Sequence, residues 1–234
     1  MSAAVKPSIA IIGAGIGGMT TARALLRRGF TRVRIFEQAD KFYPTAGAGF
    51  GFGPNGQMCM LSLGLEHQHI LHPFDTLMRL DLEGNIKAQA DTLKQVRQKF
   101  GFGIAGCLRA DLIDLLAKSM PSDTILYSHK LTHIQQDAHK VQLEFDQSGK
   151  LVQEEFDLVI GADDINSQVA QQLKIDPSPP AYSGANIFYG KIDLPDSVNF
   201  QHPALQNLDH KVSIFLLQLG RNILSKINSA LIVI

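Results

Sequence analysis

The sequence lacks an excess of either charge and lacks any long hydrophobic run. Its 234 residues include 22 basic and 22 acidic side chains, so the formal net charge is zero. No cluster of lysine and arginine predicts a face that binds nucleic acid. No stretch approaches the ~20 consecutive apolar residues that a membrane-spanning helix needs. We therefore expect no nucleic-acid partner and no membrane span.

Cysteine is also scarce. Cys59 and Cys107 are the only two cysteines and lie far apart in the sequence, which predicts neither a disulfide framework nor a cysteine metal site. Reduced thiols are typical of cytoplasmic proteins, so we expect a cytoplasmic location. The neighbouring His67, His69 and His72 do not fall on one helix face; we interpret them as solvated side chains and predict no metal site.

A glycine-rich turn lies between an apolar strand and a helix near the start of the chain. Residues 8–12 are apolar and β-branched and predict a buried parallel strand, while residues 16–28 predict a helix and residues 32–37 a second strand. The intervening Gly13-Ala14-Gly15-Ile16-Gly17-Gly18 fits the pattern G-x-G-x-x-G. The acidic Glu37 stands about 20 residues further on, as a dinucleotide-binding unit requires.

Each part of this motif has a physical role. Gly13 permits a tight turn, Gly15 lets a pyrophosphate approach the backbone, and Gly18 allows the helix and strand to pack closely. The helix N-terminus offers unpaired N–H groups and a positive dipole end to the phosphates. Glu37 would accept hydrogen bonds from ribose hydroxyls, which disfavours the 2′-phosphate of NADP. The unit alone does not distinguish FAD from NAD.

The rest of the chain alternates between helical and strand patterns. Residues 42–56 are rich in glycine and predict a loop, and the proline-rich residues 176–180 predict a boundary. Further helices are predicted at 57–65, 108–118 and 165–173, and further strands at 76–82, 86–90, 124–127, 131–136, 141–145, 151–156, 158–160 and 185–192.

Four segments, taken in order, point to a family. They are the glycine motif with Glu37; Ala46-Gly47-Ala48-Gly49-Phe50 with the following Gly53-Pro54-Asn55-Gly56 and Leu61-Ser62-Leu63-Gly64-Leu65; Leu108-Arg109-Ala110-Asp111-Leu112; and Asp157-Leu158-Val159-Ile160-Gly161-Ala162-Asp163. Together they resemble the flavoprotein aromatic hydroxylases, which include p-hydroxybenzoate and salicylate hydroxylases. The resemblance implies an FAD-dependent monooxygenase that uses NAD(P)H and O₂ to hydroxylate a small aromatic substrate. Because the flavin carries this chemistry, we name no catalytic side chain.

The resemblance also implies individual cofactor contacts. Arg109 would contact the phosphate or ribose region of FAD, Asp163 would belong to the family's second flavin motif, and Gly49 would lie near the flavin ring. From the residues alone, the alternative reading of Arg109 is a solvated charge at a helix start, and that of Asp163 is a helix N-cap. The predicted cofactor site comprises Gly13, Ala14, Gly15, Ile16, Gly17, Gly18, Glu37, Gly49, Arg109 and Asp163.

Two features depart from the family pattern. The second motif of the family reads Gly-Ala-Asp-Gly and later Val-Arg, whereas this chain has Asp164 in place of the last glycine and Ala170 in place of the arginine. Asp164 adds a carboxylate where phosphates should approach. The third motif of the family, a Gly-Asp pair with a downstream proline, is not found after Gly190.

We therefore predict an α/β fold in which a Rossmann-like FAD-binding domain with a parallel sheet is joined to an incomplete β-rich substrate domain. The FAD-binding domain is assigned to residues 1–72 and 100–175, and the substrate domain to residues 73–99 and 176–234. The predicted function is that of an FAD-dependent monooxygenase. The alternatives are a truncated FAD-binding protein without turnover and an NAD-dependent Rossmann oxidoreductase.

Overall fold

The computed structural model describes residues 6–43, 49–73, 77–80, 86–90, 92–175, 181–182, 185–189, 213–219 and 230–233. The elements in chain order are β1 (Ile9–Ile12), α1 (Ile16–Arg27), β2 (Val33–Phe36), β3 (Gly49–Phe52), α2 (Pro54–Ser62), a 3-10 turn (Gln68–Ile70), β4 (Leu71–Pro73), β5 (Leu77–Leu80), β6 (Ile86–Ala90), α3 (Thr92–Phe100), β7 (Ala105–Leu108), α4 (Arg109–Lys118), β8 (Ile125–Leu126), β9 (Lys130–Gln136), β10 (Val141–Gln147), β11 (Lys150–Phe156), β12 (Leu158–Gly161), α5 (Gln168–Gln172), β13 (Ala185–Tyr189), β14 (Ser213–Leu219) and β15 (Ala230–Val233).

The chain divides into two units that are described separately. Unit one consists of residues 1–44 and 112–180, and unit two of residues 45–111 and 181–234. Residues 45–72 and 100–111 therefore lie in unit two, although the sequence suggested 1–72 and 100–175 for the cofactor domain. That two-segment domain division stays a prediction, and its boundary at 176–180 lies outside the described residues.

Unit one contains a four-stranded parallel sheet with the strand order β12-β1-β2-β8. β1 is apolar throughout and fully buried, as expected for a strand covered on both faces. α1 leaves the carboxyl end of β1 and packs over Ile11: a Cβ at Gly18 would lie 3.3 Å from the Ile11 Cγ2 atom. The predicted β-α-β unit and parallel sheet are confirmed.

The other face of this parallel sheet carries the main hydrophobic core of unit one. Ala10, Ile12 and Phe36 pack against the antiparallel sheet β11-β10-β9. The Phe36 ring stacks on Phe145 with 4.3 Å between centroids and meets Phe156 edge-on at 5.6 Å. Burial of each aromatic ring is worth ~1.5–3 kcal/mol, so this core fixes the end of β2, where Glu37 begins the next loop.

Unit two contains two antiparallel sheets. One has the strand order β3-β7-β4, and the other has the order β13-β14-β15-β5-β6. The predicted hairpin of 76–82 and 86–90 is confirmed by the pairing of β5 with β6. The larger sheet joins strands from residues 73–99 with strands from residues 176–234, the two segments that we expected to be rich in β-structure.

Several local predictions were wrong. Residues 42–56 were expected to form a loop, yet β3 and the first turn of α2 lie within them. α3 and β7 were not predicted at all. The prediction of α5 was too long at its start, because the helix begins only at Gln168.

Candidate functional site

The glycine turn of unit one connects β1 to α1. The Gly13 N–H donates to the Phe36 carbonyl at 2.8 Å, and Gly13 has a φ of +105°, which only glycine adopts without strain. A Cβ at Gly13 would collide with the Ala162 carbonyl, and a Cβ at Gly18 would collide with the Gly13 carbonyl. Backbone conformation and packing therefore explain both glycines without any ligand.

Gly15 is a glycine of a different kind. Its backbone is extended, with φ −75° and ψ 179°, and a Cβ there would meet no protein atom within 4 Å. Gly15 is also the N-cap of α1, with no side-chain cap and no acidic residue in the first helical turn. The N-terminus of α1 thus faces open space with backbone N–H groups available, which is the arrangement that binds phosphate.

Glu37 holds the glycine turn to the end of β2. Its Oε2 accepts a hydrogen bond from the Ala14 N–H at 2.9 Å, and its Oε1 accepts one from the Ala39 N–H at 2.9 Å. The backbone of Glu37 is fixed as well, because its N–H donates to the Leu126 carbonyl and its carbonyl accepts from the His129 N–H. The carboxylate is therefore pre-positioned beside the turn, and it retains further acceptor sites on both oxygens.

Asp163 lies against the same turn and accepts hydrogen bonds from the start of α5. A Cβ at Gly13 would lie 3.2 Å from the Asp163 Cα atom. Asp163 Oδ1 accepts from the Ser167 hydroxyl at 2.6 Å, and Oδ2 accepts from the N–H groups of Gln168 at 2.6 Å and Val169 at 3.2 Å. Asp163 thus satisfies the first N–H groups of α5 without being its N-cap, which is Ser167, and its role toward a cofactor stays a prediction.

Gly49 and Arg109 come together in unit two. In the pairing of β3 with β7, Gly49 stands opposite Leu108, and Arg109 follows directly as the first residue of α4. Arg109 is half-buried, and no described residue forms a hydrogen bond or ion pair with its side chain. A cation at this end of a helix opposes the helix dipole and is stabilised by an anion.

A family model described as "FAD binding domain" matches residues 6–204, which include both groups of residues. The chain belongs to the FAD-binding domain family. Relatives with 32% identity over 182 residues include the 6-hydroxynicotinate 3-monooxygenase of Pseudomonas fluorescens, with 76% of this chain and 46% of that protein covered. Salicylate hydroxylase of Pseudomonas putida is 29% identical over 195 residues, with 79% of this chain and 43% of that protein covered. The chain spans about half the length of the curated relatives it matches.

Solved structures of similar fold include an FAD-bound protein. Klebsiella pneumoniae HpxO complexed with FAD and uric acid has a TM-score of 0.68 and 21% identity, with 97% of this chain and 56% of that chain covered. The 2,6-dihydroxypyridine-3-hydroxylase of Arthrobacter nicotinovorans has a TM-score of 0.62 and 22% identity, with 81% of this chain and 45% of that chain covered. At these identities the likeness supports the fold.

The residues of this FAD-binding domain fit the cofactor of its family. The space beside Gly15 and the uncapped N-terminus of α1 are chemically suited to a pyrophosphate. The adjacent Glu37 carboxylate is suited to the hydroxyl groups of a ribose. Within unit two, the Arg109 guanidinium, which pairs with no described residue, is suited to an anionic group. The family match selects FAD over NAD as the cofactor, while the residues that contact it stay a prediction.

Asp157 has a positioning role that the sequence did not reveal. Its Oδ2 accepts from the Ser8 N–H at 2.7 Å and the Ser8 hydroxyl at 2.8 Å, while Oδ1 lies 3.0 Å from the Lys140 ammonium. These hydrogen bonds, with the ammonium, hold the pKa of Asp157 well below its usual range. Asp157 therefore pins the start of β12 to the start of β1, the strands that lead to Asp163 and Gly13.

Other sequence expectations have mixed outcomes. His67 is fully buried, with its Nδ1 atom 3.2 Å from the Leu65 carbonyl, so its description as a solvated side chain was wrong. The described residues contain no group of three or more side chains able to hold a metal ion. None of the helices in the part of the chain that the structure describes is long and apolar enough to span a bilayer.

Proposed function

We propose that this chain binds FAD at the turn from Gly13 to Gly18. We further propose that it functions as an FAD-dependent monooxygenase that hydroxylates a small aromatic substrate. Bound FAD supplies the redox and oxygen-transfer chemistry, with NAD(P)H as the electron donor. The α1 N-terminus would hold the pyrophosphate and Glu37 the adenosine ribose, while Arg109 would contribute its charge to the phosphate or ribose region. Gly49 and Asp163 complete the proposed set of cofactor contacts.

The observation that carries this proposal is the glycine at position 15. Packing requires Gly13 and Gly18, but neither packing nor backbone conformation requires Gly15. A ligand that must approach the backbone at this point does require it, because a methyl group would occupy the space that the ligand needs. The open space at Gly15 therefore supports a dinucleotide at this turn.

The test compares Gly15→Ala with Gly17→Ala. Gly17 belongs to the same predicted turn but stands at an x position of the pattern, where alanine keeps the backbone N–H and a Cβ also meets nothing within 4 Å, so Gly17→Ala is the comparison within the turn. We expect Gly15→Ala to lower the urea unfolding midpoint only slightly, because alanine is a poorer helix N-cap than glycine, but to weaken FAD binding at least about tenfold, or ~1.4 kcal/mol. We expect Gly17→Ala to bind FAD normally and to gain up to ~1 kcal/mol in helix stability.

Calorimetric titration with FAD and with NAD provides the measurement. The wild type should bind FAD more tightly than NAD. Binding of NAD without binding of FAD would instead support the NAD-dependent oxidoreductase. FAD affinity of folded Gly15→Ala equal to that of the wild type would contradict the placement of FAD at the glycine turn.

The substrate class comes from the relatives. 6-Hydroxynicotinate, in the name of one relative, and salicylate, in the name of another, are both small aromatic acids, and we propose a substrate of this type. The assay supplies NADH or NADPH and a panel of phenolic and pyridine carboxylic acids, and measures hydroxylated product together with hydrogen peroxide. Product with little peroxide supports monooxygenase activity of the 234-residue chain. FAD binding without product supports the second candidate, an FAD-binding protein without turnover.

We also propose a cytoplasmic location. Both Cys59 and Cys107 are free thiols, as is usual in a reducing compartment. Fractionation of cells that express the protein would test this, and recovery from an oxidising compartment would contradict it.

A further inference from the structure

Asp164 has an unusual backbone conformation and an unpaired charge. It is one of four described non-glycine residues with a positive φ, the others being Ser128, Ser148 and Lys174, and its φ is +65°. Its side chain is exposed, and within the described residues nothing donates a hydrogen bond to it or forms an ion pair with it. Aspartate tolerates this left-handed conformation better than most residues, but glycine adopts it without strain.

Asp164 follows two residues whose backbone lies against the glycine turn. Gly161 pairs with Ile12 at the ends of β12 and β1, and the Ala162 N–H donates to the Ile12 carbonyl at 2.8 Å. The backbone of Ala162 and Asp163 then touches Gly13. Asp164 therefore follows directly on the segment that lines the turn, at the same carboxyl edge of the sheet.

The two neighbouring aspartates differ in how their charges are balanced. Asp163 receives three hydrogen bonds, from the Ser167 hydroxyl and the N–H groups of Gln168 and Val169. Asp164 receives none from any residue that the structure describes. One negative charge beside the phosphate-binding turn is thus satisfied by the protein, and the other is left to solvent.

We propose that Asp164 opposes dinucleotide binding, so that the chain holds FAD less tightly than its glycine turn would otherwise allow. The inference rests on the proposed function, since it requires FAD phosphates at the N-terminus of α1. A like charge near this site repels the pyrophosphate, and the repulsion between exposed charges weakens as salt screens it. Asp164 thereby acts as an affinity-setting residue, not as a contact.

Two substitutions separate the charge from the backbone. Asp164→Asn removes the charge and keeps a side chain that tolerates a positive φ, whereas Asp164→Gly removes both the charge and the strain. We expect both to raise FAD affinity by about two- to fivefold at low salt, the effect of one exposed charge at a helix N-terminus. The gain should shrink at about 0.5 M salt, where the screening length is only a few ångströms.

Two controls lie elsewhere in unit one. Asp123 is exposed and precedes β8, at the opposite edge of the parallel sheet from the glycine turn, so Asp123→Asn makes the same charge change without altering FAD affinity. Ser148 has a φ of +56° in the turn between β10 and β11, so Ser148→Gly relieves backbone strain far from the turn. It should change the thermal midpoint only.

FAD affinity is measured by calorimetry at two salt concentrations, and the thermal midpoint is measured without FAD. Higher affinity for both Asp164 variants, with Asp123→Asn unchanged, supports the proposal. An affinity of Asp164→Asn equal to the wild type overturns it while leaving FAD binding intact. If the folded wild type binds no FAD, the proposed function fails and this inference fails with it.

Discussion

Replacement of Glu37 by glutamine tests how the glycine turn is held. The carboxylate accepts one backbone N–H on each oxygen, from Ala14 and from Ala39, both at 2.9 Å. A glutamine amide accepts on one oxygen only, and its NH₂ group would face the other backbone N–H as a second donor. Glu37→Gln therefore loses one charge-assisted hydrogen bond, weakens the other and brings two donors together.

The expected cost follows from these contacts. A hydrogen bond to a charged group contributes ~1.5–3 kcal/mol, and half-burial of Glu37 reduces this value through solvent competition. We expect Glu37→Gln to lower the free energy of unfolding by about 1–2 kcal/mol, and Glu37→Ala to lower it by somewhat more. FAD affinity should fall by about 1–3 kcal/mol in Glu37→Ala, because the ribose also loses an acceptor.

Urea unfolding without FAD and calorimetric titration with FAD measure these two effects separately. Glu66→Gln is the matched control, because Glu66 is exposed and accepts no hydrogen bond from a residue that the structure describes. An unfolding midpoint of Glu37→Gln equal to that of Glu66→Gln would show that the two backbone contacts contribute nothing. Unchanged FAD affinity in folded Glu37→Ala would exclude Glu37 from the cofactor site.

Two further predictions concern other charged or ionisable groups. The pKa of Asp157 is lowered in the folded protein by Ser8 and Lys140, so its contribution to stability is present above its unfolded pKa of about 3.9 and is lost as the pH falls below that value. The urea midpoint of Asp157→Asn should thus lie below that of the wild type at pH 7, and the two should converge below about pH 4; a constant difference across this range would contradict the assignment. Burial raises the pKa of the Cys107 thiol to about 12, whereas Cys59 is exposed. Iodoacetamide at pH 8 should therefore alkylate Cys59 and spare Cys107 in the folded protein, as read by peptide mass spectrometry, and equal labelling without unfolding would refute this.

The elements that could be predicted from the sequence are those with strong local signals. β1, α1 and β2 follow from an apolar run, a glycine turn and a helical pattern, none of which depends on distant residues. β3 and β7 could not be found in this way. β3 consists of alternating glycine and phenylalanine, and glycine disfavours strands. It is a strand because it pairs with β7, which lies more than fifty residues further along the chain. A pattern of neighbouring residues does not reveal a pairing over that distance.

Polar contacts were also only partly predictable. The place of Glu37 at the end of β2 follows from the motif, but its hydrogen bonds to Ala14 and Ala39 depend on the path of the backbone after the strand. Asp157 begins the fourth family segment, but that segment does not predict its partner, because only the parallel pairing of β12 with β1 brings Asp157 to Ser8. His67 was misjudged because histidine is polar, although its side chain is fully buried and its ring meets that of Phe52 edge-on.

A match to the glycine pattern therefore does not by itself determine how tightly a dinucleotide is held. Three carboxylates, those of Glu37, Asp163 and Asp164, stand on segments that adjoin the turn in this chain. Backbone N–H groups satisfy Glu37, and N–H groups with a hydroxyl satisfy Asp163. A carboxylate engaged in this way stabilises the turn and offers less repulsion to phosphate, because its charge is already compensated by donors. In the proposed site the uncompensated charge at Asp164 acts in the opposite direction, so we expect it to lower the FAD affinity that the positive end of α1 and Glu37 provide.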